Sequence, residues 1–230
     1  MIMPSPLELE ALYLSLKVAL WSVLFTLPLG IFTAWLLARK DFYGRALLNG
    51  IVYLPLVLPP VVVGFFLLTM LGRQGPIGQL LENYFGITVI FTWQGAAIAS
   101  AIMSFPLMVR AIRISIENVD TKLEAAALTL GASPLRVFYS ITLPLILPGI
   151  LAGTILAFAR SLGEFGATIT FVSNIPGETR TLPLAIYSLV QTPGGETGAL
   201  RLVILSVIIA LLALVFSEYL AHKARRSIGD

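Results

Sequence analysis

The sequence predicts an all-α polytopic membrane protein with about five transmembrane helices. Of its 230 residues, 57% are hydrophobic and only 12% are charged, and the mean hydropathy is +0.93. A soluble domain of this length needs far more charged surface than that. A membrane-spanning helix needs about 20 largely apolar residues, and the chain offers five such runs. We therefore expect residues 1–230 to form a single transmembrane domain.

The predicted spans cover residues 14–38, 50–71, 88–109, 146–170 and 201–221. The first is preceded by Glu8 and Glu10 instead of a basic leader, so we expect it to remain in the mature protein. The fourth is unusual because Arg160 and Glu164 lie within its apolar run.

The positions of the basic residues predict the orientation. Ten of the 15 Lys and Arg residues fall in segments on one side of the predicted spans, namely Arg39, Lys40, Arg45, Arg110, Arg113, Lys122, Arg136, Lys223, Arg225 and Arg226. Basic loops stay in the cytoplasm. The N-terminus is therefore predicted outside and the C-terminus inside, with residues 110–145 forming a cytoplasmic loop.

This loop carries signals for two short helices separated by a bend. Asp120 can cap the start of the first helix, and Gly131 can take the left-handed conformation that ends it. Ser133 and Pro134 then provide a capping hydroxyl and a proline suited to the first position of a second helix. The alanines between them leave one smooth side that a partner surface could approach closely.

The spacing in this loop resembles the signature of ABC importer permeases, which runs Glu-Ala-Ala, three residues, Gly, nine residues, Ile-x-Leu-Pro. Gly131, Ile141, Leu143 and Pro144 match it, and the triplet falls on Ala125, Ala126 and Ala127, with Glu124 one position earlier than the family carboxylate. The resemblance implies a type I ABC importer permease fold, with this loop as a coupling helix that docks on an ATPase subunit. The alternative is an ordinary amphipathic loop helix.

Three further segments indicate which group of ABC importer permeases the chain resembles most. ARSLGEFGATITFVSNIPGETRTLP (159–183), LPLVLPPVVVG (54–64) and FPLMVRAIR (105–113) are similar to the molybdate permeases of bacteria and close to the sulfate and tungstate permeases. This implies import of a tetrahedral oxyanion, molybdate, through a bacterial-type inner membrane by alternating access. The implied partners are two ATPase subunits, a second permease copy and an external molybdate-binding protein. A sulfate, thiosulfate or tungstate permease is the alternative within this class, and a passive anion channel is the alternative outside it.

The charged pair in the fourth span is the second candidate site. Arg160 and Glu164 are four residues apart, so on a helix they share a face and can pair. They form either a mutually neutralised packing pair or part of the gate or anion path. Gly163 and Gly166 would allow close helix approach. Four hydroxyls could line a polar path or pack in the core, namely Ser161, Thr168, Thr170 and Ser173.

Several functions are excluded by what the sequence lacks. No phosphate-binding G-x-x-x-x-G-K-[ST] motif occurs, so ATP and Mg²⁺ are expected on a separate ATPase subunit and no cofactor on this chain. One histidine, His222, and no cysteine leave almost no material for a metal site or a catalytic triad. We therefore expect a transport subunit without enzymatic activity, surrounded by membrane lipid and with no nucleic-acid partner.

Overall fold

The computed structural model describes residues 5–229, and their side chains except those of residues 214, 216–218 and 220–229. His222, Lys223, Arg225 and Arg226 thus lie outside the described side chains. The helices are α1 (Pro6–Arg39), α2 (Arg45–Val57), α3 (Pro60–Leu71), α4 (Pro76–Phe85), α5 (Trp93–Glu117), α6 (Thr121–Thr129), α7 (Pro134–Val137), a π-helical turn (Phe138–Thr142), α8 (Leu143–Leu162), α9 (Gly166–Val172), α10 (Leu182–Val190) and α11 (Glu196–Gly229). Within residues 5–229 there is no β-strand.

The predicted all-α membrane architecture is confirmed. Among the residues that the structure describes, four helical segments are long and apolar enough to cross a membrane: α1, α5, the continuous run from α7 through α8, and the first part of α11. The bent pair α2 and α3 makes a fifth when it is counted as one span.

The second predicted span, residues 50–71, is broken instead of continuous. Helix α2 ends at Val57, α3 begins at Pro60, and the two axes differ by 114°. Leu58 and Pro59 each precede a proline, which disfavours the helical conformation, and both are extended with ψ of 143° and 135°. Two consecutive prolines therefore turn the chain here.

The fourth predicted span, residues 146–170, is also interrupted. Helix α8 ends at Leu162 and α9 begins only at Gly166. The short helix α9 packs against α3, so the two broken spans meet. At this contact a Cβ on Gly64 would lie 2.6 Å from the carbonyl oxygen of Ala167, which explains why α3 carries glycine there.

Helix α5 occupies the centre of the bundle and packs against both α1 and α8. Its residues Met108, Val109 and Ile112 are fully buried in a core shared with those two helices. A Cβ on Gly149 of α8 would lie 2.2 Å from the Cβ of Ser115, so glycine sets the close approach of α5 and α8.

Polar contacts tie the helices together at the two ends of the bundle. At one end, Arg201 of α11 donates to Glu8 of α1 at 2.9 Å. At the other end, the guanidinium of Arg113 on α5 donates to Asn49 of α2 at 2.8 Å. This second end also carries α6 and the last turn of α1.

Candidate functional site

The predicted pair of short helices with a bend between them is confirmed. Asp120 accepts a hydrogen bond from the backbone N–H of Lys122 at 2.9 Å and caps α6. Gly131 has a φ of +87°, and the N–H of Ala132 reaches back to the carbonyl of Ala127 at 3.1 Å. This is the geometry of a glycine-terminated helix. Ser133 then caps α7, whose first residue is Pro134.

The outer surface of α6 is open and apolar. Ala125 and Ala126 are exposed, Ala127 is half-buried, and no residue of α6 is buried. Leu123 and Leu128 are about half exposed, and Leu130 is 89% exposed. Several exposed apolar side chains on one short helix outside the bundle core suit an interaction site. The alanines keep this surface flat, which allows a partner to approach the helix backbone.

Glu124, on the same helix, contacts the body of the protein. Its Oε1 accepts a hydrogen bond from Nη2 of Arg39, the last residue of α1, at 3.2 Å. The same oxygen accepts one from the hydroxyl of Thr142 at 2.7 Å. Sequence reasoning missed Arg39 and Thr142, which lie 85 and 18 residues away, because no local spacing rule links such positions.

The second half of the loop signature forms the π-helical turn and the start of α8. Pro144 has no N–H to donate to the carbonyl four residues earlier, and the N–H of Leu143 bonds to the carbonyl of Phe138, five residues back. Ile141 is half-buried and Pro144 is exposed. The Leu-Pro pair therefore accompanies a widened turn where the loop joins α8, a type of irregularity that often occurs at functional positions.

Arg160 and Glu164 form an ion pair, with 2.6 Å between Nη1 and Oε2. The predicted reason for the pairing was wrong, since Glu164 lies after the end of α8 and not on its face. The other carboxylate oxygen of Glu164 accepts a hydrogen bond from the N–H of Ala167 at 2.9 Å, which caps the start of α9. Glu164 thus links the last turn of α8 to the first turn of α9.

The two glycines beside this pair differ in their surroundings. A Cβ on Gly166 would lie 2.7 Å from the Cβ of Pro60, so this glycine permits the contact with α3. Gly163 is exposed, and a Cβ there would meet nothing closer than 3.9 Å. Of these two glycines, Gly166 lies at a close helix contact, and the prediction for Gly163 was wrong.

The four hydroxyls of the predicted path are mostly engaged inside the chain. Ser161 is buried and lies 2.8 Å from the hydroxyl of Ser22 on α1. Thr168, also buried, donates to the carbonyl of Phe165 at 2.9 Å, and Thr170 donates to that of Gly166 at 2.9 Å. Ser173 is exposed, with a φ of +64°. In this single chain, the hydroxyls of Ser161 and Thr168 are therefore buried and already hydrogen-bonded.

No group of three or more His, Cys, Asp or Glu side chains that could hold a metal ion occurs among the residues searched, which are those the structure describes. The candidate site consists of the exposed surface of α6 at one end of the bundle and of the Arg160–Glu164 ion pair at the break between α8 and α9.

The exposed helix and its bend lie between two spans, and the chain carries Gly131, Ile141, Leu143 and Pro144 at the spacing that is typical of the membrane permeases of ABC importers. The family described as "binding-protein-dependent transport system inner membrane component" matches residues 26–226. The chain belongs to this family.

The chain is also similar to individual permeases over its whole length. It is 63% identical to the molybdenum transport system permease protein ModB of Escherichia coli strain K12, with 100% of both chains covered. It is 58% identical to ModB of Haemophilus influenzae, covering 97% of this chain and 98% of that one. The sulfate transport system permease CysW of Synechococcus elongatus is 36% identical over 94% of this chain and 76% of that one.

Two solved structures share the fold at low sequence identity. A bacterial ABC transporter involved in the import of the acidic polysaccharide alginate matches with a TM-score of 0.77 and 20% identity, covering 95% of this chain and 80% of that one. The methionine transporter MetNI, in an inward-facing conformation, matches with a TM-score of 0.72 and 16% identity, covering 96% and 99%.

Proposed function

We propose that this chain is the membrane-spanning subunit of an ATP-driven importer that carries molybdate into the cytoplasm by alternating access. The observation that carries the proposal is the 63% identity, over the full length of both chains, with a molybdenum transport permease. The identity with a sulfate permease is much lower, at 36%. Sulfate, thiosulfate and tungstate are therefore the alternative cargoes and molybdate the preferred one.

In this proposal, α6 is the coupling helix and receives an ATPase subunit. Its exposed alanines and leucines supply an apolar contact, and the bend at Gly131 holds α6 apart from α7. ATP and Mg²⁺ would be bound by that separate subunit, and this chain would perform no catalysis. ATP-driven closure of two such subunits would move two α6 helices and open the path outward.

The anion path would lie between two copies of this chain. Ser161 and Thr168 are buried and bonded within the single bundle, which argues against a polar path through one copy. A homodimer would form the path at a shared surface, and an external molybdate-binding protein would deliver the anion to it. The asymmetry of basic residues supports an N-terminus outside the cell and a C-terminus in the cytoplasm, in a bacterial-type inner membrane.

The proposal is tested by reconstituting the permease with its ATPase and binding protein in liposomes. We expect ATP-dependent uptake of molybdate to exceed uptake of sulfate. A preference for sulfate would overturn the choice of cargo. Anion flux that needs no ATP would identify a passive channel instead.

Gly131→Pro tests the coupling role of α6. Proline cannot adopt the φ of +87° at this position, so the bend after α6 must change. We expect uptake to fall at least about tenfold while ATP hydrolysis and membrane insertion persist. Gly86→Pro is the matched control, because Gly86 also ends a short helix at positive φ, 64°, but at α4. Normal uptake by Gly131→Pro would overturn the coupling assignment.

A further inference from the structure

Glu124 joins the proposed coupling helix to two other parts of the molecule. We infer that Glu124 is an intrachain positioning residue, which makes α6 move as one body with the end of α1 and the turn at the base of α8. The inference rests on the proposed role of α6 as the ATPase contact and names the link through which its movement reaches the bundle.

Helix α6 has few other attachments. None of its residues is buried. Among the side chains that the structure describes, only that of Glu124 forms hydrogen bonds between α6 and another helix. Without this carboxylate, α6 would be held mainly by the chain on either side of it, around Val119 and Ala132.

The hydrogen bond of Thr142 also supports the attachment of α6 to the rest of the chain. Serine and threonine hydroxyls within helices commonly bond to a carbonyl of their own helix, and Thr26 and Thr170 do so here. Thr142 is 3% exposed, yet its hydroxyl donates to Glu124, on another helix. It is the variable residue of the Ile-x-Leu-Pro signature. A buried donor directed at α6 fixes that helix to the turn preceding α8.

Arg39 adds the charge of the opposite sign. Its side chain is 16% exposed and that of Glu124 is 22% exposed. Arg39 also donates to the carbonyl of Val119 at 3.4 Å, so it holds both the segment before α6 and α6 itself. The pair is therefore more shielded from water and from salt than an ordinary surface ion pair is.

The position of Glu124 along α6 explains which side of the helix its carboxylate lies on. With 3.6 residues per turn, a shift of one residue rotates a side chain by about 100° around the helix axis. Ala125, the position of the carboxylate in the family pattern, is exposed, whereas Glu124 is half-buried. The shift therefore moves the negative charge from the surface offered to a partner to the side that faces Arg39 and Thr142.

The test compares transport with ATP hydrolysis in the reconstituted complex. Glu124→Gln removes the negative charge that faces Arg39, and Thr142→Val removes the hydroxyl that Glu124 accepts from. In both variants we expect the ATPase subunits to remain bound and hydrolysis to continue, while molybdate uptake per ATP falls about fivefold. Thr142→Ser should restore the ratio, because it returns the hydroxyl. Glu117→Gln is the control, since its carboxylate belongs to the more exposed local pair with Arg113.

A second measurement uses a spin label to report the mobility of α6. The chain has no cysteine, so Lys122→Cys gives a single site for a spin label on α6 in the full-length permease. We expect the label to become more mobile in Glu124→Gln and Thr142→Val, but not in Glu117→Gln or Thr142→Ser. Unchanged mobility together with an unchanged ratio of uptake to hydrolysis would overturn the inference.

Loss of the ATPase subunits from Glu124→Gln alone would also overturn it, because Glu124 would then be a contact to the partner. A failure of the proposed function would give a different result from a failure of this inference. In that case the wild-type chain itself would bind no ATPase, although the label on α6 would still respond to the loss of Glu124.

Discussion

The ion pair between Arg160 and Glu164 allows a quantitative test of how the break between α8 and α9 is held. The Glu164 side chain is 1% exposed and that of Arg160 is 28% exposed. Removing one partner of a buried pair costs about 3–5 kcal/mol. Because the guanidinium is partly solvated, and because Glu164 keeps its hydrogen bond from Ala167, we expect Arg160→Met to cost only about 2–3 kcal/mol.

Glu164→Gln removes the negative charge and retains an oxygen for the N–H of Ala167. Since Arg160 can then turn toward water, we expect a cost of about 1–2 kcal/mol. The double variant leaves no unpaired charge, and its cost should stay near 2 kcal/mol, so the coupling energy of the pair is about 2 kcal/mol. Equilibrium unfolding by SDS titration in mixed micelles, followed by far-UV circular dichroism, measures all three values.

The same cycle on Arg113 and Glu117 is the control. These side chains are 24% and 43% exposed, and we expect a coupling of at most about 0.5 kcal/mol. Additive costs at Arg160 and Glu164 would refute the reasoning. Measurements of molybdate uptake distinguish a packing role from a direct role in the gate or anion path. If the pair serves packing, the double variant should transport better than either single variant. If the pair acts directly in the gate or path, the double variant should stay inactive.

Three further predictions concern backbone strain, helix contact and the buried hydroxyls. Ser173→Gly should raise the free energy of unfolding by roughly 1 kcal/mol in the SDS titration, because its φ of 64° and ψ of −158° suit glycine; a loss of stability would contradict this. Gly64→Leu should cost at least about 2 kcal/mol by forcing α3 away from α9, while Gly50→Leu, which meets nothing within 4 Å, should be nearly neutral. Ser161→Ala should cost about 0.6 kcal/mol through its lost bond to Ser22 and leave uptake unchanged; reduced uptake at full stability would place Ser161 on the anion path.

The features that the sequence predicts well depend on neighbouring residues alone. The apolar spans follow from composition, and the bend after α6 follows from Asp120, Gly131 and Ser133, each of which acts within three residues of its own position. Hydrogen bonds to these residues are present where capping rules require them.

The broken spans show where local patterns are insufficient. Pro148 lies within α8 without ending it, as does Pro28 in α1. The helix breaks between Val57 and Pro60 because Leu58 and Pro59 each precede a proline. That signal was available in the sequence. The break after Leu162 has no proline, and it depends on Glu164 capping α9 and on Gly166 meeting Pro60 of α3. Only the folded chain brings these partners together.

Three carboxylates form ion pairs that link helices or helix ends, and they differ in how far along the chain their partners lie. Apolar side chains gain little by leaving lipid for another helix, so polar contacts and close packing must specify how membrane helices are arranged. Glu164 pairs with an arginine four residues away, and the sequence predicts that pair. Glu124 and Glu8 bond to arginines 85 and 193 residues away. No periodicity predicts those two contacts, because they depend on which helix ends meet, and each joins helices distant in sequence at one end of the bundle.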